Sequence, residues 1–195
     1  DPGRLHAKLA ASLGKADLSS WLQLVPPIAK DASMHRLLRA YPNQDLQFEA
    51  ALEGNMNKIK LTDLLVSLPT AFRCEARGEM AYPLDERKVL AQLRFGVKTQ
   101  NLQFVTTLLP KELARQYRIP ANMQLQGRVS GSRNHCQTQM TLHEGGGKVS
   151  LDGSLKMPAM AYRANLEVSR LNLHHFMPHD SLYTIDATAR LSGCG

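Results

Sequence analysis

Three histidines close together, His174, His175 and His179, are the residues of this chain with the most evident potential for chemistry. Imidazole nitrogens are frequent Zn²⁺ ligands, so a metal site is the first possibility. Histidines four residues apart share a ligand on a helix, but Pro178 prevents a helix between His175 and His179. Apart from Asp180, no carboxylate or cysteine stands at ligand spacing. The pattern therefore favours a polar loop, and we expect no metal.

The glycine run from Gly145 to Gly147 raises a second possibility, a phosphate-binding loop. Such loops carry a Lys-Ser/Thr pair after the glycines and open a helix, and this stretch does neither. The run instead separates two alternating segments at hairpin spacing, where residues that tolerate positive φ reverse the chain. We predict a hairpin turn after Glu144.

The sequence contains no recognisable catalytic or redox motif. No Ser or Cys lies in a nucleophile elbow, and the acidic residues fall at outward strand positions, so we expect neither an enzyme nor a cofactor. The three cysteines, Cys74, Cys136 and Cys194, form no CxxC pair. Cys74 and Cys136 fall on predicted apolar faces, where free buried thiols are expected.

The 195 residues carry 24 basic and 17 acidic side chains, a net charge of +7. The basic residues are spread along the chain without a stripe or an aromatic interleaving, so we expect no nucleic-acid partner. No apolar run approaches the roughly 18 residues of a membrane-spanning helix. Because the chain starts at Asp1 without Met and stops at Gly195 on a strand-like pattern, we expect a piece of a longer protein.

The elements that must position any site are strands with one apolar face. Between residues 121 and 171, four segments place apolar residues at every second position, the period of a half-buried strand. Similar alternation runs from Leu5 to Leu13, from Leu46 to Gly54, from Phe72 to Met80, from Val89 to Val97 and from Tyr183 to Gly193. Between Ile59 and Leu68 the phase slips at Thr62 and Asp63, which predicts a β-bulge.

Two short helices are predicted, one between Ile28 and Ala40 and one between Pro110 and Pro120. Leu18 to Val25 is a further apolar segment that Pro26 and Pro27 close, and Leu102 and Phe104 are expected to begin a strand. The fold class is therefore mainly β, with about ten antiparallel strands. Periodicity leaves two architectures open, an elongated curled sheet, trough or taco-like, and a β-sandwich.

Three features together resemble the AsmA/TamB-like family. They are the strands that end in Gly, as at Gly54, Gly127, Gly153 and Gly193, the stretch Leu108 to Pro120 that leads into Met123, and the segment Tyr162 to Leu173. The chain looks like an interior segment of a TamB-type translocation and assembly module of a Gram-negative bacterium. The resemblance implies a β-rich protein tethered to the inner membrane through a segment outside this chain, reaching across the periplasm towards an outer-membrane barrel partner.

The resemblance also implies transport of phospholipid between the inner and outer membranes and support of outer-membrane assembly, with acyl chains sliding along an apolar-lined β trough. We treat residues 1–195 as one β-rich unit, with a possible division into 1–107 and 108–195. The alternative is a structural or adhesive β-sandwich module that binds protein or glycan. The residues expected to contact lipid are Met123, Leu125, Val129, Met140, Leu142, Val149, Leu151, Leu155, Tyr162, Leu166, Val168, Tyr183, Ile185 and Leu191.

Overall fold

The computed structural model describes residues 4–14, 17, 32–157, 159–179, 181 and 183–194. In chain order, the strands are β1 Leu5–Leu13, β2 Leu46–Asn55, β3 Lys58–Leu68, β4 Phe72–Ala81, β5 Leu90–Thr99, β6 Gln124–Ser132, β7 His135–Glu144, β8 Gly147–Lys156, β9 Ala161–Asn172 and β10 Thr184–Gly193. Within these ranges, the connections contain the α-helices α1 Ala32–Ala40 and α2 Lys111–Gln116 and the 3₁₀ helices Gln103–Leu108 and Leu173–His175.

The ten strands form one antiparallel sheet whose order in space is their order in the sequence. The sheet is not closed, so β1 and β10 are its edges. A mainly β fold with a single elongated sheet is thereby confirmed, and the described strands do not divide into the two facing sheets of a sandwich. β5 and β6, on either side of the possible division at residue 108, pair along their length.

An antiparallel meander places successive connections at alternate ends of the sheet. One end, the helical end, carries α1, α2, both 3₁₀ helices and the two tight turns before β4 and β8. The opposite end, which we name the hairpin end, carries the loops that follow β2, β4, β6 and β8. The two ends therefore differ in how much chain is available to cover the sheet.

Two irregularities keep the side-chain alternation in phase across the sheet. In β3 the pairing shifts between Leu61 and Leu64, which confirms the predicted bulge at Thr62 and Asp63. The Thr62 hydroxyl donates to the carbonyl oxygen of Ala51 at 3.0 Å. Without the extra residue, half of β3 would turn its leucines to the other face. A second shift, between β9 and β10, was not predicted; there the backbone N–H of Arg170 donates to Asp186 at 2.9 Å.

Several local predictions are confirmed and others need correction. Glu144 pairs with Gly147 around a two-residue loop in which Gly145 has a φ of 54°, so the hairpin forms as expected. The segment after Leu102 is a 3₁₀ helix and not a strand, because Thr106 and Thr107 donate to carbonyl oxygens three residues earlier instead of pairing with a neighbouring strand. Residues 18–31, which include the predicted apolar segment and the start of the first helix, lie outside the described residues.

Candidate functional site

The most extensive candidate site is one face of the sheet. Pairing between strands places the apolar residues directly opposite one another, in four rows that each cross all ten strands. The row nearest the middle is Leu9, Ala50, Leu64, Ala76, Phe95, Gly127, Met140, Leu151, Leu166 and Ala189. We call the surface formed by the four rows the apolar face.

Most of the residues predicted to contact lipid lie in these rows and so share one surface. One row contains Leu125, Leu142, Val149 and Val168, a second contains Val129 and Leu191, and a third contains Leu155 and Tyr162. The row nearest the middle contains Met140, Leu151 and Leu166. Ile185 lies beyond the rows, opposite Leu171. Their contact with lipid stays a prediction.

Met123 and Tyr183 each precede a strand by one residue, at the helical end. The Met123 carbonyl oxygen accepts the backbone N–H of Thr99 at 2.9 Å, which extends the β5–β6 pairing by one step. The Tyr183 ring stacks on His174 with a centroid distance of 5.0 Å. Tyr183 therefore packs against the connection before β10.

The apolar face is largely uncovered by the described part of the chain. The buried apolar residues of the described ranges are Leu68, Ala71, Ala76 and Leu171, a core far too small for a sandwich. The chain exposes 13515 Å², whereas a compact monomer of its 21.7 kDa exposes roughly 9,200 Å². On the edges, Leu9 and Leu191 are each 61% exposed. Contiguous exposed apolar surfaces are typical of sites that bind a partner or a ligand.

A groove of about 690 Å³ lies on the apolar face near the hairpin end. Its lining includes Leu52 of β2, Leu61 of β3, Met80 of β4, Leu93 of β5 and, farther along, Val129 and Cys136. Six neighbouring strands contribute to this one concavity, so the face is curved there. Five strand spacings of about 4.8 Å make it roughly 24 Å wide.

The lining of the groove includes residues that are not among those predicted to contact lipid. Val129 is the single member of that set in its lining, whereas Leu61, Met80 and Leu93 come from the first half of the chain. Their alternation was visible in the sequence. What singles them out is the curvature of the sheet, for which the sequence contains no local signal.

Glycines on the apolar face make room for aromatic rings. Gly127 lies opposite Phe95, and a Cβ on Gly127 would come within 2.7 Å of the ring. Gly193 has the same relation to Tyr162, at 2.7 Å from its hydroxyl oxygen. The strand-then-glycine pattern thus has a packing reason at these two positions, because any larger residue would push the ring away from the sheet.

The opposite face of the sheet is polar. Arg128 donates to the side-chain oxygen of Gln139 at 2.6 Å, and Gln139 donates to Asp152 at 2.9 Å, which links three adjacent strands. The hydrogen bond and the charge of Arg73 hold the pKa of Glu75 below its usual range. The sheet therefore separates a charged, hydrogen-bonded surface from an apolar one.

The histidine cluster lies at the helical end, where His174 and His175 belong to a 3₁₀ helix. His175 Nδ1 is 2.7 Å from Oε1 of Glu144, a carboxylate that is 5% exposed. The Asn172 amide oxygen accepts the His174 backbone N–H, so its nitrogen faces His175 Nε2 at 3.1 Å. No pattern in the sequence predicted this pairing, because Glu144 and His175 are 31 positions apart.

Within the described ranges, no group of three or more His, Cys, Asp or Glu side chains is arranged to hold a metal ion. In the same part of the chain, no helix has the length and apolar character needed to cross a membrane. Comparisons of the chain with protein-family models, with curated proteins and with solved structures found no match.

Proposed function

We propose that the apolar face holds phospholipid acyl chains, and that the chain is a segment of a periplasmic protein that carries phospholipid between the inner and outer membranes. The observation that supports this most directly is the continuity of the four apolar rows across ten strands that the described residues leave uncovered. The resemblance to the AsmA/TamB-like family points to the same function, to tethering at the inner membrane and to an outer-membrane barrel partner.

Acyl chains suit this surface on physical grounds. They are apolar and fluid, need no hydrogen-bond partner, and gain about 0.8 kcal/mol for each methylene removed from water. The groove extends roughly 24 Å across the strands. This distance exceeds the thickness of one hydrocarbon leaflet, which is roughly 15 Å. A whole acyl chain can therefore lie across the strands in the groove. Because each contact is weak, a lipid can also move along the rows.

A pair of leucines on one strand provides a matched test. Leu93 lies in the groove and is 38% exposed, whereas Leu90, on the same strand, is 55% exposed and faces the polar side, opposite Ser132. Leu93→Glu places a charge in the lipid path, and Leu90→Glu adds the same charge outside it. Neither side chain is buried, so both variants are expected to fold, which circular dichroism checks.

The readout is phospholipid that co-purifies with the protein from membrane-containing cells, measured by native and denaturing mass spectrometry. We expect phospholipid on the wild-type chain and on Leu90→Glu, and its loss from Leu93→Glu. A lipid-free wild-type chain, or equal lipid on both folded variants, would contradict the proposal. The alternative of a structural or adhesive module predicts the first of these results, a lipid-free wild-type chain.

A further inference from the structure

A depression of about 550 Å³ interrupts the polar face of the sheet over β4 to β7. Its centre is Gly96, which lies between Glu75 on β4 and Gln126 on β6. A Cβ placed on Gly96 meets no atom within 4 Å. No packing requirement therefore accounts for a glycine here, and its effect is to leave the depression open.

The basic side chains in the lining of this depression are Arg73, Arg94, Lys98 and Arg128. On one side of Gly96, Arg94 lies directly opposite Arg128 of the lining and, on its other side, opposite Arg77, which lies outside the lining. Like charges placed opposite each other destabilise a sheet. Arg77 has Asp63 as a partner at 3.5 Å, and Arg128 donates to Gln139. The guanidinium of Arg94, in the middle, makes no hydrogen bond or ion pair with any described residue.

On the other side of Gly96, Arg73 and Lys98 stand opposite each other. Arg73 is 2.7 Å from Glu75, the one carboxylate in the lining, while Arg94, Lys98 and Arg128 form no ion pair with a carboxylate there. The depression over β8 to β10 differs, since Asp152 and Glu167 balance Arg163 and Arg190 in its lining. The depression at Gly96 therefore carries an excess of positive charge that the depression over β8 to β10 lacks.

We propose that this depression binds a phosphate group. Guanidinium groups recognise phosphate oxygens through paired N–H donors, and the Gln124 and Gln126 amides in the lining can donate to the remaining oxygens. A bound phosphate offsets the repulsion between Arg94 and its two arginine neighbours. The site lies on the face opposite the acyl-chain rows, so it is separate from the proposed lipid path. The phosphate belongs either to a soluble ester or to a headgroup at a bilayer surface.

Three variants isolate the site. Arg94→Gln removes the unpartnered guanidinium. Gly96→Thr fills the depression without changing charge, and a β-branched residue fits a strand position with open space above it. Arg190→Gln is the control, because it removes one arginine from the same face at the far edge of the sheet.

Two probes distinguish the sources of phosphate: glycerol 3-phosphate by titration calorimetry, and vesicles of phosphatidylglycerol in phosphatidylcholine by co-sedimentation. Both are used near physiological salt, which screens exposed charges beyond about 8 Å. We expect Arg94→Gln to weaken binding about tenfold, as the loss of one charge-assisted contact would. Gly96→Thr should weaken binding by a similar factor, because its side chain occupies the space that the phosphate would fill. Arg190→Gln should bind as the wild type does.

Binding of glycerol 3-phosphate with this variant pattern supports a site for soluble phosphate esters, and the same pattern on vesicles alone supports a site for headgroups. The absence of binding to either probe overturns the proposal. Equal weakening by Arg94→Gln and Arg190→Gln also overturns it, because the attraction would then come from the net charge of +7. Lipid loss from Leu93→Glu is scored separately, so failure of one proposal does not decide the other.

Discussion

Two glycines on adjacent strands should respond in opposite ways to the addition of one methyl group. Gly127 lies on the apolar face opposite Phe95, and a Cβ there would come within 2.7 Å of Cε1 and 3.2 Å of Cε2 of the ring. Ordinary carbon contacts are about 3.5–4.0 Å. Gly127→Ala must therefore displace the ring. Gly96→Ala adds the same methyl group on the polar face, where it meets nothing within 4 Å.

The magnitudes follow from two opposing effects. Overpacking costs about 1–3 kcal/mol, while replacing a strand glycine by alanine recovers about 0.5–1 kcal/mol of chain entropy. Gly127→Ala should therefore lower the free energy of unfolding by about 1–2 kcal/mol. Gly96→Ala should raise it by about 0.5 kcal/mol. Urea titration followed by far-ultraviolet circular dichroism measures both values with the same chain as reference.

The ring itself can be tested as the cause by repeating Gly127→Ala in a Phe95→Leu background. If the methyl group clashes with the ring, the cost of Gly127→Ala should fall below about 0.5 kcal/mol there, and the difference is the coupling energy. The reasoning is refuted if Gly127→Ala is as well tolerated as Gly96→Ala, or if its cost persists without the ring.

Two other regions give measurable expectations. His175→Ala should lower the free energy of unfolding by about 2 kcal/mol, because it removes the histidine partner of the buried Glu144 carboxylate. Adding Glu144→Gln to this variant should recover part of the loss. Urea midpoints that are the same for the wild type and the variants would contradict this prediction. Burial, assisted by Glu75, raises the pKa of Cys74. Iodoacetamide at about pH 8 should therefore modify Cys74 more slowly than the exposed Cys194. Peptide mass spectrometry compares the two rates, and the difference should disappear in urea.

Much of the strand pattern could be predicted, because the features that specify it are local. Alternation with period two identified the apolar side of each strand, and the slip at Thr62 and Asp63 located the bulge in β3. The glycines after Glu144 located a hairpin. The error at Gln103–Leu108 has a local explanation too, since threonine hydroxyls bonded to nearby carbonyl oxygens stabilise a 3₁₀ turn where two apolar residues suggested a strand.

The sequence by itself determined which side chains share a face of each strand, since that depends on the pleat of a single chain segment. Only the tertiary structure decided that these faces align into rows across ten strands, because register comes from hydrogen bonds between strands. It alone brought Glu144 to His175, placed the groove at Leu61, Met80 and Leu93, and left the apolar face uncovered. Curvature, coverage and distant contacts arise from the packing of segments against one another, and no single segment encodes them.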